Sequence, residues 1–60
     1  MKDNARYYSQ RYTIELKIES IERQLSEARS EGDDSAIRDL EIKLEAAKTE
    51  LSNLDYSFGY

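Results

Sequence analysis

Two stripes of apolar residues run through this chain, and they are out of phase with one another. From Tyr7 to Ala28 the seam residues recur four and three positions apart, at Tyr7, Ile14, Ile18, Ile21, Leu25 and Ala28, with Arg11 in the one polar slot. From Ile37 the rhythm restarts, through Leu40, Leu44, Ala47, Leu51, Leu54 and Phe58. Each stripe is a heptad seam, the pattern of a helix that buries one narrow face against another helix. Ala28 and Ile37 stand nine residues apart. At about 100° per residue that is roughly 900° of rotation, so an unbroken helix would carry the two seams on opposite sides. Only a break lets one seam cover the other. Residues 31–35, EGDDS, supply it: Gly32 suits the left-handed position that ends a helix, and Asp33, Asp34 or Ser35 can cap the next one and complement its dipole.

The expected fold is therefore all-α, an antiparallel two-helix hairpin of coiled-coil type that pairs into a four-helix bundle. Helix one is expected over about residues 4–31, the turn over 32–34, helix two over about 35–55 and an aromatic tail over 56–60. Folding at the turn sets a register in which facing seam residues have numbers that total 65. Ala28 meets Ile37, Leu25 meets Leu40, Ile21 meets Leu44, Ile18 meets Ala47, Ile14 meets Leu51, Arg11 meets Leu54 and Tyr7 meets Phe58. Flanking charges agree with this register: Arg29 can approach Glu41, Lys17 can reach Glu50, and Lys48 falls between Glu15 and Glu22. Lys17 near Lys43 is the one mild conflict. Exposed pairs of this kind contribute only tenths of a kcal/mol each and choose the register more than they hold the fold.

Composition narrows the function classes. The chain has 60 residues with neither cysteine nor histidine, which removes disulfides, thiolate and imidazole metal sites, and Cys or His nucleophiles. Small secreted domains usually depend on disulfides, so a cytoplasmic address is expected. No apolar run reaches the length of a membrane span or a signal-peptide core, which predicts a soluble protein with no membrane partner, and the opening Met1 fits a complete gene product. A domain this small buries a modest part of its surface, which argues for help from self-association or a protein partner. The net charge is −4, yet Lys2, Arg6 and Arg11 stand against Asp3 alone in the first thirteen residues, so +2 there leaves −6 for the remainder.

The basic end is also the aromatic end. ARYYSQRY, residues 5–12, holds three of the five tyrosines, and DYSFGY, residues 55–60, holds the other two with the single phenylalanine. A hairpin brings these segments together. Tyr7 and Phe58 lie in the seam and are expected to lock the ends. Tyr8, Tyr12 and Leu16 lie roughly 120° to 200° from Ile14 around the helix, facing away from the hairpin partner, with Met1 and Ala5 on the same side. Exposed aromatic stripes mark contact surfaces. The expected partner-binding residues are Tyr8, Tyr12 and Leu16 as anchors, Arg6 and Arg11 as orienting charges, and Tyr56 and Tyr60 as supporting surface. Ile42 also points outward, but a lone exposed isoleucine is ordinary.

No catalytic constellation is legible, and the expectation is a protein that is not an enzyme and binds neither cofactor nor metal. Glu15 with Glu19 and Glu41 with Glu45 share helix faces, as solvated carboxylates on any acidic helix do. A di-iron bundle needs inward carboxylates and Glu-x-x-His pairs, and no histidine exists. No glycine-rich phosphate loop is present, and the acidic turn would repel a phosphate. The expected function is a non-catalytic protein-interaction module: a small acidic adaptor, inhibitor or assembly regulator, most simply a homodimer. The alternative rests on Lys2, Arg6 and Arg11 interleaved with Tyr7, Tyr8 and Tyr12, which offer charge and stacking surface to nucleic acid. In outline a short acidic helical hairpin resembles the Rop type of plasmid-encoded RNA-binding regulator, in which two hairpins pair into a four-helix bundle. That resemblance is architectural, without a shared motif, and implies a dimeric RNA-binding regulator. Three cations on an acidic chain supply few phosphate contacts unless a dimer sets two such patches side by side.

Overall fold

Gly32 ends the first helix, and Asp33 begins the second. The computed structural model describes the backbone of residues 4–59 and the side chains of residues 5–57. Helix α1 spans Asn4–Glu31 and α2 spans Asp34–Gly59. Gly32 sits at φ 71°, and its N–H donates to the Arg29 carbonyl at 3.2 Å while the Asp33 N–H donates to the Ala28 carbonyl at 3.0 Å. This pair of bonds satisfies carbonyls that a helix C-terminus otherwise leaves open. The Asp33 carboxylate then accepts from the Ala36 N–H at 3.2 Å, and its carbonyl accepts the first bond of α2, from the Ile37 N–H, at 2.9 Å. Asp33 is thus the N-cap, out of the three candidates. The connection is two residues long, shorter than the expected 32–34, because Asp34 is already helical.

The expected end of helix two is corrected. Instead of stopping near Asp55 with a separate tail, α2 runs on to Gly59. Its last turns hold no proline, a glycine so close to a terminus costs little, and the Asp55 side chain is tied to α1. Tyr60 and the Phe58 side chain lie outside the described residues, so the expected Tyr7 to Phe58 contact does too.

The two helices form a hairpin whose cross-links join low numbers on α1 to high numbers on α2. Arg29 meets Glu41 at 3.4 Å, Lys17 meets Glu50 at 3.0 Å and Arg11 meets Asp55 at 2.6 Å. Lys48 makes no ion pair among the described residues; the Glu15 carboxylate expected near it goes to Arg11 instead. Ile21, Leu25, Ala28, Leu40 and Ala47 are buried, with Ile18, Ala36, Ile37 and Leu44 packed around them. This core occupies the half nearer the turn. Towards the open end Ile14 is still buried, whereas Leu51 and Leu54 are only partly so, and polar contacts take over the seam.

The molecule is long and one layer thick. Its extents are 50 × 15 × 10 Å and its radius of gyration is 14.2 Å, against about 10 Å for a compact chain of this length. Each helix has one neighbour, so every outer face remains open.

Candidate functional site

At the open end the heptad seam is closed by charge. Arg11 occupies a seam position, and its Nη1 donates to Asp55 Oδ1 at 2.6 Å and Oδ2 at 2.7 Å. The Tyr7 hydroxyl donates to Asp55 Oδ1 at 2.7 Å, with Arg11 Nη1 3.4 Å from the same hydroxyl. Arg11 Nε faces Glu15 Oε2 one turn along α1, at 3.1 Å. One carboxylate on α2 therefore gathers donors from two residues of α1, and a second carboxylate steadies the guanidinium from behind.

This clasp explains the electrostatics of the site. The Arg11 hydrogen bond, followed by that from Tyr7, holds the Asp55 carboxyl below its usual range. The hydrogen bond to Asp55 pushes the Tyr7 phenol above its ordinary value, with loss of hydration the next cause. Arg11 is likewise raised, first by Asp55 and then by Tyr7. All three shifts favour the state in which Tyr7 is protonated and the ion pair is charged.

The outer face of α1 carries the stripe. Tyr8 is 64% exposed, Tyr12 62% and Leu16 46%, and their spacing of four places them on one side of the helix. The Tyr8 ring meets Tyr7 edge-on, with centroids 5.1 Å apart and planes at 63°. One end of the stripe is thereby braced against the clasp. Arg6 is exposed on the same helix. Tyr56 is exposed on α2, beyond Asp55, so it belongs to the other helix rather than to the stripe, and Tyr60 is outside the described residues. Arg11 sits in the seam, as its spacing implies, and its half-buried side chain is engaged by Asp55 and Glu15.

Asp55 is the residue that sequence reasoning missed. A signal was present. Arg11 breaks an otherwise apolar seam and requires a counter-charge, and the register puts Leu54 opposite it, with Asp55 as its immediate neighbour. Lys17 already claims the other nearby acid of that stretch, Glu50.

Among the described residues no group of three or more Asp or Glu side chains is placed to hold a metal ion, and no helix is long and apolar enough to cross a membrane. Comparison with known proteins finds no family model that matches the chain, and no curated protein or solved structure similar to it.

Proposed function

We propose that the protein is a non-catalytic protein-interaction module, an antiparallel hairpin that pairs with a second copy into a four-helix bundle and presents an aromatic stripe to a protein target. In that reading it serves in the cytoplasm as a small adaptor, inhibitor or assembly regulator. The observation that carries the proposal is the stripe itself: two tyrosines and a leucine lie exposed in one row on the back of α1, beside a clasp that fixes the helix ends. Tyrosine gives a large contact area for little lost side-chain freedom, and such residues dominate binding energy at interfaces. The titratable groups that the fold perturbs, Tyr7, Arg11 and Asp55, are engaged with one another, which supports a structural rather than a catalytic use.

The RNA-binding alternative is weakened by the same clasp. Arg11, one of its three cations, lies between Asp55 and Glu15, where a phosphate would meet two carboxylates.

The test is capture from the native lysate on immobilised full-length chain, with a Tyr8→Ser/Tyr12→Ser variant alongside. Proteins held by the native chain and lost by the variant support the proposal. Identical captured sets would refute it, and nuclease-sensitive capture that weakens steeply with salt would favour RNA instead.

A further inference from the structure

The two broad faces of the hairpin differ. The face that includes Glu15, Glu22, Arg29, Glu41 and Lys48 is charged. On the other, Gln10, Thr13, Lys17, Ser20 and Gln24 follow one another three and four residues apart on α1, and Lys43, Ala46, Glu50, Asn53 and Ser57 do the same on α2. Between these rows runs a shallow groove with Ile14, Leu54, Ile21, Leu40 and Ala47 in its floor. The Lys17 to Glu50 bridge crosses it, leaving a cavity of about 510 Å³ towards the open end and one of about 500 Å³ towards the turn, with Glu50 lining both. Lys43 stands in the second cavity with Lys17, and it has no carboxylate partner among the described residues.

We infer that this groove is the self-association face, and that a second copy lies in it upside down, with its turn at the first copy's open end. The inference rests on the homodimer part of the reading above and assigns that contact to the face opposite the charged one, away from the tyrosine stripe.

Charge complementarity fixes the occupant and its register. A two-fold axis lying in the contact plane and crossing α2 between Ala46 and Ala47 sets like helix against like helix in reverse. By the seam register expected from the heptad spacing, the same axis crosses α1 between Ile18 and Glu19. Lys43 of each copy then meets Glu50 of the other, since both are equally far from the axis. On α1 the same operation places Arg6 opposite the second copy's Glu31, Gln10 opposite Glu27 and Thr13 opposite Gln24. Every charged residue in these rows meets an opposite charge or a neutral side chain. The Lys17 and Lys43 crowding, a conflict within one chain, is relieved because Glu50 residues from both copies flank it. Ala46, small and next to the axis, lets the two α2 helices approach closely.

Surface area agrees. The chain exposes 4851 Å², whereas a compact monomer of its mass exposes about 4,000 Å². The excess is spread over the whole rod, which leaves room on one face for the roughly 800 Å² that one partner buries in a standard interface.

The experiment is sedimentation equilibrium on the full chain and two charge reversals, Lys43→Glu and Glu50→Lys, both at exposed positions, with circular dichroism to confirm helix content. The native chain is expected at twice the monomer mass. Each variant alone places like charges at two symmetric contacts and is expected to weaken the dimer by roughly tenfold or more. Their equimolar mixture is expected to restore it, because Glu at 43 then meets Lys at 50 and the native Lys43 meets the native Glu50. A native monomer would overturn both this inference and the homodimer reading. A native dimer that both variants retain, or that only the Tyr8→Ser/Tyr12→Ser change dissociates, would overturn the groove assignment while leaving the homodimer in place.

Discussion

Gly32 is held at φ 71° with nothing within 4 Å of where a Cβ would stand. Space is therefore not what makes glycine suitable there; the left-handed backbone is. An L-residue in that conformation brings its Cβ against the following carbonyl, at a cost of about 1–2 kcal/mol, and no neighbouring side chain adds to it. Gly32→Ala is expected to lower stability by roughly 1 kcal/mol. A chain of 60 residues is accessible to chemical synthesis, and D-alanine at the same position favours positive φ, so it should raise stability by about 0.5–1 kcal/mol through the unfolded state. Urea unfolding read at constant slope checks both signs. If the two alanines destabilised alike, crowding rather than backbone conformation would govern the turn.

At the scale of the elements, the two helices are joined at one end by a turn and at the other by the clasp, and the clasp responds to pH. The folded pKa of Asp55 is depressed, so the unfolded chain binds more protons there. Its contribution is present above the ordinary aspartate value of about 3.9 and is lost as pH falls through the lower folded value. Tyr7 behaves in the opposite sense, its folded pKa being raised: its contribution holds below about 10 and disappears as pH rises through the folded value. Arg11, raised further, does not titrate in this range. Thermal unfolding of the native chain and of Asp55→Asn should therefore converge in acid and differ most near neutral pH, with the difference reduced in alkali but not abolished, because the Arg11 to Asp55 pair persists there. A constant difference from acid to alkaline would remove the clasp as the cause. The helices and their break were legible in the sequence because heptad spacing and a positive-φ glycine are local signals. The extent of α2 was not. A terminal aromatic run with a glycine reads as a tail until the tie from Asp55 to α1 is known, and that tie joins residues 44 positions apart. The partner of Arg11 was hidden for the same reason: spacing placed it in the seam but did not choose Asp55 as its counter-charge.

The whole molecule is a rod with one shared seam, no side chain under 2% exposed among the described residues, and two unlike uncovered regions. The tyrosine stripe on the back of α1 carries aromatic area without complementary charge in the second copy's register. The groove is nearly neutral at its rim and self-complementary where charges occur. Assigning the groove to a second copy leaves the stripe free for a different protein, so stability and target capture become separable properties. A species stabilised by pairing unfolds at a temperature that rises with its own concentration, whereas an isolated hairpin does not. The midpoint of the native chain is thus expected to climb across a hundredfold concentration series. The Lys43→Glu midpoint should lie below the native one and begin to climb only at about tenfold higher concentration, and that of Tyr8→Ser/Tyr12→Ser should climb in parallel with the native chain. Calorimetry at each concentration measures this directly. A midpoint that depended on concentration only when the tyrosines were intact would exchange the roles of the two surfaces, because the stripe would then be what holds the copies together.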